Sequence, residues 1–142
     1  MKRFALCLFP CLRCALLVVV SSLLPVLAQG ETNKQEYVLH QLHLIRDALI
    51  RYKEDVGQFP SAREGLVNLI DQPVDAKGWK GPYLRYPIVP KDAWGNNYRY
   101  VQCYISKVAG VMIYSLGPNE NDEYGSGDDL VVACAYDKIQ DR

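Results

Sequence analysis

Residues 33–57 read NKQEYVLHQLHLIRDALIRYKEDVG, and their periodicity decides the fold. Val38, Leu42, Ile45, Leu49, Tyr52 and Val56 recur at steps of four and three, the spacing that aligns side chains on one face of an α-helix. The opposite face is mostly charged or polar. Asn33 is the expected N-cap with Glu36 at the third helical position, and Gly57 suits the left-handed residue that ends a helix. At about 1.5 Å per residue this segment makes a rod of about 35 Å, and a rod with one apolar stripe needs something laid along it. His40 and His43 lie three residues apart on it. With no third ligand in the neighbourhood, they read as surface histidines, since a metal site takes three or four ligands.

Downstream, SAREGLVNLI (61–70) opens with a capping-box pair, Ser61 and Glu64, and is expected to form a second, shorter helix ended by Pro73. Residues 71–98, DQPVDAKGWKGPYLRYPIVPKDAWGNNY, are rich in Gly, Pro and Trp. They read as an ordered, irregular connection with Trp79, Tyr83 and Trp94 as anchors on the core. Three runs follow with the aromatic and β-branched composition of strands: NYRYVQCYI (97–105), GVMIYSL (110–116) and LVVACAY (130–136). Short connections make antiparallel neighbours of them. The fold class is therefore α+β, a long N-terminal helix packed on a small antiparallel sheet with an irregular Gly/Pro/Trp loop between.

Upstream, Lys2, Arg3 and Arg13 accompany an apolar stretch, CALLVVVSSLLPVLA (14–28), in a secretory signal pattern with expected cleavage after Ala28. The apolar run is shorter than the roughly 20 residues that span a bilayer, and Pro25 and Gly30 are expected to break the path onward. The expected organisation is a signal peptide at 1–28, a short polar linker at 29–35 leading into the helix, a globular domain at 36–136 and a tail at 137–142. The location is the periplasm or the exterior; an uncleaved chain would instead be anchored in the inner membrane.

Of 142 residues, 16 are basic and 16 acidic, and three of the basic ones belong to the leader. The exported part is thus acidic overall, which disfavours nucleic acid as a partner. Cys103 and Cys134 are the two cysteines left after the leader. In an oxidising compartment they allow one disulfide, which would stabilise by about 3 to 4 kcal/mol on the chain-entropy model. Two buried free thiols are the alternative, and strand order decides between them. No nucleophile elbow, phosphate loop or HExxH stretch occurs, so no catalytic residues and no small-molecule substrate are expected.

Four blocks, DVGQFPSAREGLVNLI, GWKGPYL, PKDAWGNNYRY and IYSLGPN, occur in an order and spacing that resembles the type II secretion protein G family, the major pseudopilin. The resemblance covers residues from about 36 to 131; a prepilin peptidase site of the G-F-T-L-x-E kind is absent. It implies a pilin-like fold and a non-enzymatic role in type II secretion, with other pseudopilins or secretion-system proteins as partners. A free-standing calcium-binding periplasmic or secreted domain is the alternative. The resemblance also implies one calcium ion in the loop after the Ser-Leu-Gly strand end, within YSLGPNENDEYGSGDDL (114–130). Carried over by position, the candidate ligands are the backbone carbonyls of Leu116 and Asn121 and the side chains of Asn119, Asp122, Asp128 and Asp129. Calcium takes six to eight oxygens of these kinds.

Overall fold

A computed structural model describes residues 12–105 and 108–135, with side chains described for 29–104, 109–134. The first 11 residues of the expected leader and the expected tail lie outside the described residues. Helix α1 runs Leu12–Val56, and the chain divides into two units between Asn33 and Lys34. Apart from the course of α1, the account below concerns the second unit. Among the described residues, no helix is long and apolar enough to cross a membrane.

The helix does not begin where capping signals placed it. Asn33 and the expected polar linker at 29–35 are helical, and the helical backbone passes both Pro25 and Gly30. An interior proline loses one ladder hydrogen bond and crowds the carbonyl four residues earlier, at about 3 kcal/mol, and glycine costs about 1 kcal/mol relative to alanine; the helical backbone nonetheless continues through both. The C-terminal end falls where the sequence placed it. Gly57 adopts φ +90° and its N–H donates to the Lys53 carbonyl at 2.8 Å, closing the last turn.

The expected second helix is a short 3₁₀ segment, η1, Gly65–Leu69. Ser61 does accept from the Glu64 N–H, at 3.4 Å, as its capping position requires. Gly65 follows at φ +59°, in the left-handed region, so the turn that Ser61 starts cannot extend as an α-helix. The Glu64 carboxylate accepts from the Ser61 hydroxyl at 3.3 Å and from Asn68 Nδ2 at 2.9 Å.

Strands β1 (Arg99–Ile105), β2 (Val108–Ser115) and β3 (Leu130–Ala135) form an antiparallel sheet in the order β1-β2-β3. Val111 and Ile113 of β2 face the helix together with Val132 and Cys134 of β3, their partners in register. Against them lie Val38, Leu42, Ile45, Ala48, Leu49 and Tyr52, all essentially buried. Burying side chains of this size stabilises by about 1.5 to 3 kcal/mol each, so the two faces account for the layer architecture. His40 and His43 are on the exposed side.

Residues 58–98 close one end of this sandwich. Tyr83 is buried between helix and loop: its N–H donates to the Leu69 carbonyl at 2.7 Å and its hydroxyl donates to Asp55 at 3.0 Å. Lys80 Nζ meets the other Asp55 oxygen at 2.6 Å, Arg51 donates to the Tyr83 carbonyl at 2.8 Å, and Trp79 Nε1 donates to the Asn68 carbonyl at 2.9 Å. Gly78 packs against the Asp55 carbonyl, where a Cβ would collide, and Gly81 packs against the rings of Trp79 and Tyr83. The block GWKGPYL is thus a docking segment for the end of α1.

The disulfide does not form. Cys103 pairs in register with Gly110 and Cys134 with Val111, so β2 separates the two cysteines and the one-residue offset turns them to opposite faces of the sheet. Two strand spacings amount to about 9 to 10 Å, beyond the roughly 7 Å between Cα atoms that a disulfide tolerates. Burial pushes the Cys134 thiol up to about 11, which makes it unreactive near neutrality. Iodoacetamide added to the native protein without reductant should therefore label Cys103 and spare Cys134, and both should be labelled after unfolding. A Cys103–Cys134 linked peptide in the mass spectrum would refute this.

Candidate metal centre

The acidic loop between β2 and β3 is anchored at its start by a buried carboxylate from elsewhere in the chain. Asp92 opens a turn in which its Oδ1 accepts from the N–H groups of Trp94 at 3.0 Å and Asn96 at 2.8 Å. Gly95, at φ +93°, completes the turn by donating to the Asp92 carbonyl at 3.2 Å. The other oxygen, Oδ2, accepts from the hydroxyl of Ser115 at 2.6 Å, and Ser115 Oγ accepts from the Gly117 N–H at 3.2 Å. Asp92 and Ser115 are both buried. The short hydroxyl-to-carboxylate distance marks a charge-assisted bond.

From Ser115 the chain enters the loop through Gly117, at φ +67°, where a Cβ would run into the carbonyl of Asp128. Glycine there brings the Leu116–Gly117 entry against the Asp128–Asp129 exit. Asn119 Oδ1 accepts from the Asn121 N–H at 2.8 Å, an Asx turn. Asp129 is buried: its Oδ2 accepts from Gly125 N at 2.7 Å and Glu123 N at 3.2 Å, while its Oδ1 is buried with no hydrogen-bond partner.

Of the candidate ligands, Leu116 and Asp129 are buried at the neck of the loop, and Asn119, Asn121 and Asp128 are exposed along it. Asp122 points to a different environment. Its Oδ1 accepts from the Tyr114 hydroxyl at 3.0 Å and the Tyr124 N–H at 3.1 Å, and its Oδ2 lies 3.4 Å from Arg99 Nε. Among the described residues, no three His, Cys, Asp or Glu side chains converge as a ready-made ligand group. The donor set at the neck is nonetheless of the kind a hard cation takes: a buried, unpartnered carboxylate oxygen, with carbonyl and amide oxygens in the same loop.

Sequence reasoning missed two residues here. Asp92 heads an Asx turn whose signal, an Asp two residues before Trp-Gly, is present in PKDAWGNN. Glu123 carries a carboxylate whose Oε2 accepts from the Asp128 N–H at 2.7 Å and from Asn119 Nδ2 at 3.4 Å. Nothing in the linear order separates its role from that of its neighbour Asp122.

A family profile described as type II secretion system, protein G, matches residues 25–133. The chain belongs to this family. It is 30% identical over 118 residues to the type II secretion system core protein G of Klebsiella pneumoniae, covering 77% of this chain and 81% of that protein. It is 31% identical over 111 residues to the core protein G of Pseudomonas aeruginosa, covering 75% of each. The crystal structure of the major pseudopilin from the type 2 secretion system of enterohaemorrhagic Escherichia coli superposes with a TM-score of 0.60 at 22% identity, over 74% of this chain and 90% of that one. That likeness shows the shared pilin-like α+β fold. The family match takes in helix, docking segment, sheet and acidic loop together, and begins beyond most of the apolar stretch at 14–28.

Two measurements follow from this geometry. Ser115→Ala removes a donor from the buried Asp92 and an acceptor from the Gly117 N–H; leaving such groups unpaired should lower stability by about 2 to 3 kcal/mol. Urea unfolding should show the midpoint falling with an unchanged slope. Burial, then the hydrogen bond to Asp122, holds the Tyr114 phenol up at about 12. A raised folded value means its stabilising contribution is complete below the ordinary tyrosine range near 10 and is lost as pH rises through 12. Burial also raises Tyr83 and Tyr98. The melting temperature should therefore fall steeply between about pH 10 and 12, and less steeply in Tyr114→Phe.

Proposed function

We propose that this protein is a non-enzymatic pseudopilin-like component of type II protein secretion, exported through a Sec-type signal cleaved after Ala28 and acting in the periplasm. Its partners are other pseudopilins and proteins of the secretion system. The observation that carries the reading is the family match, which extends over every element of the globular unit rather than a single motif.

We propose further that the loop at 116–129 holds a calcium ion. The buried, unpartnered Oδ1 of Asp129 supports this, because an ionised oxygen without a partner is costly in a protein interior unless a cation meets it. Asp128, the Asn119 side chain and the carbonyls of Leu116 and Asn121 are the further ligands. The ion's contribution is positive charge in a loop that carries five acids. The protein's own residues supply the rest: Gly117 sets the close approach of the two loop ends, and Asp129 Oδ2 fixes the turn at 123–125.

Capture from a type II secreting cell with the tagged, exported chain should recover other pseudopilins, and its intact mass should begin at Gln29. Recovery of none would favour the free-standing calcium-binding domain, and a full-length membrane species would overturn the cleavage. Calcium at 100 times its Kd stabilises by about 2.7 kcal/mol, so melting should rise by several degrees over that in chelator. Asp129→Asn should abolish most of the rise; equal melting of the parent chain in calcium and chelator would rule the ion out.

A further inference from the structure

We infer that Glu123, and not its neighbour Asp122, supplies the second carboxylate to the cation held by Asp129, while Asp122 fastens the loop to the sheet. This rests on the calcium reading above. The two acids are adjacent in sequence, yet their surroundings differ in kind. Both oxygens of Asp122 are engaged away from the neck, by the Tyr114 hydroxyl and the Tyr124 N–H on one and by Arg99 on the other. Tyr114 and Arg99 are directly opposed in register on β2 and β1, so Asp122 binds across two strands.

Glu123 is held by the site itself. Its N–H donates to the Asp129 carboxylate, whose other oxygen is buried and unpartnered. Its side chain returns to the loop exit, where Oε2 takes the Asp128 N–H at 2.7 Å and faces Asn119 Nδ2 at 3.4 Å. Gly127 makes that return possible. At φ +56°, a Cβ on residue 127 would occupy the space of the Glu123 carboxyl group, so glycine there leaves the room this carboxylate takes. No hydrogen bond among the described residues takes Glu123 Oε1, which leaves an anionic oxygen free for a ligand.

Charge accounts for why Glu123 is needed. With Asp122 paired to Arg99, Glu123, Asp128 and Asp129 remain as the loop's acids on this side, and a divalent cation is the counter-charge that lets them share one loop. The Glu123 carboxylate is held in place through Oε2, and Oε1 is the oxygen it offers to the cation.

The test titrates the purified chain with CaCl₂ by isothermal calorimetry and follows melting in EGTA as the calcium-free reference. Glu123→Gln, which keeps size and the acceptor for Asp128, should raise Kd at least tenfold with little change of melting in EGTA. Asp122→Asn should leave Kd within about threefold and lower melting equally in calcium and in EGTA, because its effect is on the hold of the loop on the sheet. Wild-type affinity in Glu123→Gln, or a tenfold loss confined to Asp122→Asn, would overturn the assignment while leaving a calcium site standing. No heat and no melting shift from the parent chain would remove the calcium reading and this inference with it.

Discussion

The carboxylate of Asp92 is the constraint on which the C-terminal half depends. It is buried, and a buried charge persists in a fold only when its lone pairs are occupied. Three donors from two distant segments occupy them: the N–H groups of Trp94 and Asn96 inside its own turn, and the hydroxyl of Ser115 at the end of β2. Ser115 then receives the Gly117 N–H, so the bond network passes directly into the acidic loop. The turn at 92–96 and the loop at 116–129 are therefore fixed relative to one another by polar bonds that water cannot replace. Because Lys91 bridges Asn97, the same turn also sets where the chain enters β1.

A second set of bonds does comparable work at the end of α1. Asp55 collects Lys80 and Tyr83, and Arg51 takes the Tyr83 carbonyl, so the last turns of the helix are tied to the docking segment rather than left to fray. Hydrogen bonding to Lys80 holds the Asp55 carboxyl below its usual range. Edge-on contacts of Tyr83 with Tyr52 and Trp79, each at 5.7 Å between ring centres, fill the space behind these polar groups. Helix and sheet are joined by apolar layers, and their ends are joined by ionised groups. The apolar layers give the energy; the polar joints decide how the irregular loops lie.

This division explains what was legible in the sequence. The helix face was readable because Val38, Leu42, Ile45, Leu49, Tyr52 and Val56 follow the helical period; the first five are buried and Val56, at the helix end, is half-buried against the same core. The strands were readable from composition, and their ends differ from expectation by at most about two residues. The start of α1 was not, because capping signals at Asn33 are permissive: a side chain that suits an N-cap does not prevent a helix from arriving from upstream. The 61–70 segment showed the converse. Its capping pair is used, but Gly65 adopts a left-handed conformation that no helical pattern announces. The cysteines needed strand order and face, and these emerge only when β2 is placed between them.

The acidic loop marks the limit of positional reasoning most sharply. Asp122 and Glu123 are equivalent by composition, and matching by position favours the former as a ligand. Their roles separate because residue 122 meets a sheet that offers a phenol and a guanidinium, whereas residue 123 is fixed by its own N–H on Asp129. Tyr124 at φ 56° and Gly125 at φ +81° then turn the chain so that Gly125 lies against Met112 and Val131 on the outer face of the sheet. A loop that grips the sheet through Asp122 on one side fixes Asp129 on the other through its Oδ2, so the mutual repulsion of the acids acts on a backbone already held at Gly117, Asp122 and Asp129.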